Sequence, residues 1–222
     1  MRETKKAEGQ EAVLVFCAHS DDQIFGVGGT LAKYAKEGKY IYTVVFSFGE
    51  TTHPWLKGEV AADMRVKEAK AADKVIGGSG VDFLGLKEGK FNEEFREKKM
   101  SVFTKGIINK LKPKKIFMHS AEDPHPDHKA VYKLILKTLD EMGYKCEVYS
   151  FDVWNPFKLR KSSKARLYVD ITETFNTKLK ALAEFRSQFV AMLTLKWSVY
   201  IRAWNEGVHN DCKYAESFIK VR

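Results

Sequence analysis

The stretch Ala12-Val13-Leu14-Val15-Phe16-Cys17 runs directly into Ala18-His19-Ser20-Asp21-Asp22. Six consecutive apolar side chains are too few for a buried helix and suit a strand buried on both faces. Such strands belong to parallel sheets covered by helices. The polar cluster then falls at the strand's carboxyl end, the edge where open α/β sheets bind ligands. A second run, Ile116-Phe117-Met118, is followed in the same way by Asp123-Pro124-His125-Pro126-Asp127-His128. Imidazole nitrogen and carboxylate oxygen together suit a borderline divalent ion such as zinc. Two such clusters at equivalent strand ends support one another, and the chain reads first as a metal-dependent enzyme.

Outward from these two stretches, strand and helix patterns alternate. Residues 11–18, 39–48, 81–84, 115–119, 146–153 and 166–170 read as strands. Residues 26–37, 59–76, 93–111, 129–141 and 173–191 read as helices, several of them closed by glycine or stopped by proline. This alternation predicts an α/β fold of three layers, a mostly parallel sheet with helices on both faces. After about residue 153 the pattern is less regular and leaves room for an antiparallel strand and a closing helix. No linker or repeat divides the chain, so residues 1–222 are expected to form one domain, with 1–10 frayed.

The bulk numbers agree. At 222 residues the chain can bury a core without staples. Three separated cysteines, with no C-x-x-C pair, argue against a thiolate metal site or a disulfide framework. No apolar run reaches the ~18 residues of a membrane span, and the polar N-terminus does not look like a signal peptide. A cytoplasmic location is the default expectation. The net charge of +9 raises the question of a nucleic-acid partner. However, the basic residues are spread among 29 acids and no recognised nucleic-acid motif accompanies them, so a solvated lysine surface is the expected reading.

Several residues have plain structural readings. One aspartate of the first cluster could cap a helix; a neighbouring aspartate and histidine are not needed for that. The second cluster could be a solvated loop, although two prolines in it would lower the entropy of holding a constellation. Gly26, Gly28 and Gly29 fail the dinucleotide pattern because Leu31 holds the third glycine position, and close packing of helix on sheet explains them better. His119 ends a strand and reads as structural. His53 and His209 are isolated.

At Ala18-His19-Ser20-Asp21-Asp22-Gln23 and His125-Pro126-Asp127-His128 the chain resembles the N-acetylglucosaminyl-phosphatidylinositol deacetylase family, also called PIG-L or LmbE-like. That family carries A-H-P-D-D-E and H-P-D-H at these places. Weaker features agree: Arg65-x-x-Glu68 with Ala72 and Gly77, the turn Phe83-Leu84-Gly85-Leu86-Lys87-Glu88-Gly89, the helix with Lys180-Ala181-Leu182, Phe185 and Ser187-Gln188, and the closing Tyr214-Ala215-Glu216-Ser217-Phe218.

The resemblance implies a Rossmann-like fold and one zinc per chain, or another divalent transition metal. It also implies hydrolysis of an N-acetyl group from an N-acetylglucosamine-type sugar by metal-activated water. By motif position, His19, Asp22 and His128 would bind the metal and Asp21 would be the general base. His125, if protonated, would stabilise the tetrahedral intermediate, with Asp127 keeping it charged. Arg65 and Glu88 would contact substrate. Three departures stand out: Ser20 for proline, Gln23 for glutamate and Glu88 for aspartate. The rival readings are another metal hydrolase, such as a phosphoesterase, and a weakly catalytic basic binding protein. The partner expected is a small N-acetylated sugar; no membrane span is expected, a nucleic-acid partner is not favoured, and a homo-oligomer is left open.

Overall fold

A computed structural model of the chain describes residues 5–49, 57–154 and 165–222. The strands are β1 (Ala12–Cys17), β2 (Tyr40–Val45), β3 (Gly80–Phe83), β4 (Lys115–His119), β5 (Glu147–Phe151), β6 (Arg166–Asp170) and β7 (Ala215–Lys220). They form one seven-stranded sheet in the order β3-β2-β1-β4-β5-β7-β6. The first five run parallel, and β7 is antiparallel to both β5 and β6. The antiparallel strand expected late in the chain is therefore present, inserted as the last strand in sequence between two earlier ones.

The helices are α1 (Asp22–Lys36), α2 (Gly58–Ile76), α3 (Phe91–Glu97), α4 (Met100–Leu111), α5 (Pro126–Met142), α6 (Phe175–Leu182) and α7 (Phe189–Val208). Alternate residues of β1 divide between two cores. Val13, Val15 and Cys17 pack in one with Leu31 of α1 and Ala72 of α2. Ala12, Leu14 and Phe16 pack in the other with Ile108 of α4 and Val131 of α5. The period-two alternation of a strand thus feeds both faces, which gives the three layers expected.

Two expected helices are broken. Residues 93–111 divide into α3 and α4 at Lys99, whose φ of 51° is left-handed. At about 100° per residue, one continuous helix would place Phe91 and Phe95 almost opposite Thr104, Ile107, Ile108 and Leu111. The break lets both sets be buried. The helix expected over 173–191 stops at Leu182 and is followed by a short 3-10 turn, Arg186–Gln188, before α7. Glu68 of α2 holds that turn by accepting from Ser187 N at 2.7 Å and Ser187 Oγ at 2.6 Å.

The glycines of α1 behave as close-packing residues. A Cβ at Gly26 would overlap the Phe151 ring, and one at Gly29 would meet Ile171 Cδ1 at 2.7 Å. The lysine of the K-x-x-A-L pattern is Lys178, not Lys180. Lys178 Nζ lies 2.6 Å from Glu216 Oε1, and it also donates to the Phe25 carbonyl.

Asp73 is a weak point of the fold. It is buried in the last turn of α2, where a carboxylate also opposes the helix dipole. Its Oδ1 lacks a hydrogen-bond partner, and burial pushes its pKa up to about 7. A carboxyl whose folded pKa is raised holds its proton longer in the native state than in the unfolded one. Stability therefore falls as pH rises from about 4 to about 7 and stays lower above that. Asp73→Asn is expected to unfold at a higher temperature than the natural chain at pH 8, by an amount worth roughly 1–3 kcal/mol. At pH 4 the two should melt together. Equal melting at both pH values would show that the carboxylate costs nothing.

Candidate metal centre

The site forms where β1 and β4 lie side by side. The chain leaves β1 into α1 on one face of the sheet and leaves β4 into α5 on the other. This is the topological switch point of an open α/β sheet, and it opens a crevice at the strands' carboxyl ends. Asp21 takes the N-cap position of α1 without making a side-chain cap bond, so capping does not explain it. Asp22 opens α1 and turns its Oδ2 back to accept from His19 N at 2.7 Å. His125 is the N-cap of α5, Pro126 is its first residue, and Asp127 and His128 lie in its first turn. The second half of the Asp123–His128 cluster is therefore helix rather than loop. A proline just inside a helix start is the signal that could have shown this.

The expected ligands converge. His19 Nδ1 lies 3.4 Å from His128 Nε2 and 3.4 Å from Asp22 Oδ2, and His128 Nε2 lies 3.4 Å from Asp22 Oδ1. A tetrahedral ion with bonds of about 2.1 Å needs donors about 3.4 Å apart, so the two histidine nitrogens fit two corners of a zinc-type coordination shell, with an Asp22 oxygen beside each. Two overlapping groups could also hold an ion: His19, His125 and Asp127, and His119, Asp123 and His128. In the first of these, His125 Nδ1 is taken by Asp127 N at 3.2 Å, and both Asp127 oxygens accept from Gly89 N at 3.0 Å. The second is wholly buried and leaves no room for substrate. The set of His19, Asp22 and His128 fits best.

The electrostatics also call for a cation. Asp21, Asp22, Glu88, Asp123 and Asp127 surround the histidines, and Arg65 is the fixed cation among them. Burial works against charge on every member. Against it, Asp22 and Asp127 raise His19 to about 10, and Asp22 and Asp123 raise His128 to about 9. The same histidines hold Asp22 well below the usual carboxylate range. Asp21 is shifted the other way: burial and the Asp22 charge raise it, against Arg65. Neighbouring carboxylates with opposite shifts suit different chemical roles.

Two residues gain roles that sequence reading missed. Asp123 Oδ1 lies 3.0 Å from His128 Nδ1, a charge contact without good hydrogen-bond alignment, while Asp123 Oδ2 accepts from Val153 N at 2.9 Å and Trp154 N at 3.2 Å. It orients His128 and ties it to the segment after β5. His119, expected to be only structural, has its ring stacked on His128 with centroids 3.7 Å apart, and its Nε2 is 3.1 Å from Asp22 Oδ2. Burial and the His128 charge lower it to about 4, so it is neutral. Carboxylates and rings beyond the ligands commonly fix ligand orientation in this way.

Other expectations need correcting. Asp127 favours charge on His125, but its carboxylate also accepts from Gly89 N and lies 3.6 Å from His19 Nε2. His125 accepts at Nδ1 from Asp127 N, and burial and the charges on His19 and His128 lower its pKa. Arg65 is buried and donates to Ser20 Oγ at 3.1 Å and the Gly49 carbonyl at 3.2 Å. It also lies 3.9 Å from Asp21 and 3.8 Å from Glu88. Ser20 thus offers Arg65 an acceptor that the proline of the motif could not. Gln23 is fully buried, and neither of its side-chain polar atoms has a hydrogen-bond partner. His53 and the segments 50–56 and 155–164 lie outside the described residues.

A family model described as GlcNAc-PI de-N-acetylase, PIG-L, matches residues 14–139, a span that contains both clusters. The chain belongs to the PIG-L family. Two curated relatives are named as enzymes. A 4-oxalmesaconate hydratase of Pseudomonas putida is 28% identical over 87% of this chain and 78% of its own length. A diacetylchitobiose deacetylase of Thermococcus kodakarensis is 26% identical over 92% of this chain and 80% of its own. Among solved structures, the N,N'-diacetylchitobiose deacetylase of Pyrococcus horikoshii superposes with a TM-score of 0.78 at 22% identity, covering 96% of this chain and 85% of that one. That likeness supports the α/β architecture, as expected of a PIG-L protein.

Proposed function

We propose that this PIG-L protein is a zinc-dependent hydrolase that removes an acetyl group from an N-acetylglucosamine-type substrate. The observation that carries it is the convergence of the ligand atoms of His19, Asp22 and His128, within 4.8 Å of one another, beside a second carboxylate, Asp21, outside that group. When bound there, an ion of this type supplies Lewis acidity, polarising an acyl oxygen and making water a better acid. Asp21, held up by burial and steadied by Arg65, takes the proton of the attacking water. As the C–N bond breaks, it returns that proton to the leaving amine, and acetate and a free amine result. His125, with Nδ1 used as a cap acceptor, presents Nε2–H as its donor to the developing oxyanion. Asp127 fixes the turn at Gly89 and faces His19. Glu88, 17% exposed at the rim, is the candidate sugar-hydroxyl contact, and Arg65 positions both Glu88 and Asp21.

The relative named as a hydratase supports a second reading, water addition to a carboxylated substrate. Such a substrate needs cations to receive it. Among the described residues, Glu88 stands at the rim with the buried Asp127 behind it, and Arg65 is already held by acceptors of the chain itself. The deacetylase reading is favoured on that ground. The metal assignment is tested with Asp22→Ala, which should fold, lose stoichiometric zinc by elemental analysis and lose acetate release with it. Full zinc occupancy in that variant would remove Asp22 from the set.

A further inference from the structure

Helix α7 has two faces of different fate. Leu195, Val199 and Ala203 are buried in the core. On the opposite side Leu193, Trp197, Tyr200, Ile201, Trp204 and Val208 are between 42% and 62% exposed. Large apolar side chains gathered in this way mark an interaction surface rather than ordinary solvent-facing residues. The spacing 193, 197, 200, 204 follows the 4-3-4 pattern of a helix–helix seam.

The pattern is also self-complementary. About the midpoint between Tyr200 and Ile201, the apolar positions are mirror-placed: Tyr200 with Ile201, Trp197 with Trp204, Leu193 with Val208. Two antiparallel copies of α7 related by a two-fold axis at that midpoint would set each apolar side chain against another. This is the requirement of an isologous interface. The charged residues of α7 do not interrupt the seam. Arg202 donates to the Asp152 carbonyl, and Glu206 accepts from Ser217 Oγ. Lys196 remains on the flank as a charged, exposed side chain.

We infer that α7 is a self-association face, through which two copies of this chain pair antiparallel. Half-exposed side chains of this size each offer roughly 100 Å². Six give on the order of 600 Å² per copy and 1,200 Å² for the pair, the lower bound of a stable protein interface. A lipid surface fits less well. Helices that lie in the membrane interface carry many lysines and arginines on their polar side, whereas the other side of α7 is buried in its own core.

Sedimentation velocity on the full chain across the micromolar range tests the pairing. The natural protein is expected to sediment at twice its 25.4 kDa mass. Trp204→Glu is expected to return it to the single mass with an unchanged far-ultraviolet circular dichroism spectrum. If that variant fails to fold, Ile201→Cys decides: it lies beside the proposed axis and should form a cross-linked pair on mild oxidation, beyond any background from Cys146 and Cys212 in the natural chain. A natural protein that stays at the single mass overturns the proposal. If that same protein floats with zwitterionic phospholipid vesicles, the face belongs to lipid instead. A dimer that survives Trp204→Glu while Ile201→Cys fails to cross-link also overturns it, because another face then makes the contact.

Discussion

Asp21→Asn is expected to keep its metal and to lose at least about 100-fold in turnover, the usual scale for a general base. The substitution preserves size and hydrogen-bonding reach and removes basicity. Asp21 lies beside Asp22 at the start of α1, yet it makes no cap bond, and its nearest charged partner is Arg65 at 3.9 Å. A structural carboxylate in that position would be paired and held low; this one is raised by burial and by the charge on Asp22. The loss should fall on kcat, with KM little changed, because the proton is transferred only in the reaction. Elemental analysis of the same preparation separates the two roles. Loss of zinc together with turnover would make Asp21 a ligand, and near-normal turnover with zinc bound would leave it without a part in the chemistry.

The second large effect is on stability. Lys178→Met is expected to cost on the order of 3–5 kcal/mol, because it strands the buried Glu216 carboxylate. The pair joins α6 to β7, and both partners reach α1. Lys178 donates to the Phe25 carbonyl at 2.8 Å, while Glu216 accepts from Gly29 N at 3.1 Å and Thr30 N at 2.8 Å. Those bonds fix the helix whose first turn carries Asp21 and Asp22. Combining Lys178→Met with Glu216→Gln should recover part of the loss, since no lone buried charge remains. Urea unfolding of Lys178→Met, Glu216→Gln and the double variant measures the coupling. A Lys178→Met protein within about 1 kcal/mol of the natural one, the value of an ordinary exposed pair, would show that the ion pair is not stabilising the junction.

Much of the architecture is legible in the sequence because its determinants are local. The six apolar residues of β1, the run ending at Met118 and the glycines that close helices each act within a few positions. The chemical clusters are legible for the same reason: His19, Asp22 and His128 follow buried strands directly. What the sequence hides depends on partners far along the chain. Asp123 is understood only once Val153 and Trp154 are seen to donate to it. The lowered pKa of His125 depends partly on the charge of His19, which precedes a different helix, α1. The break at Lys99 reflects a conflict between two buried faces that no single turn signal announces. The choice of Lys178 over Lys180 is decided by Glu216, 38 positions later.

The most direct test is acetate release from a panel of N-acetylglucosaminides by zinc-loaded and by chelated protein. Release from at least one compound, abolished by chelator and restored by zinc, is the expected result. Release that is indifferent to chelator would contradict a reaction dependent on the cation at His19, Asp22 and His128. No release from any member, by protein that does hydrate a carboxylated substrate or cleave a phosphoester, would contradict the deacetylase assignment itself.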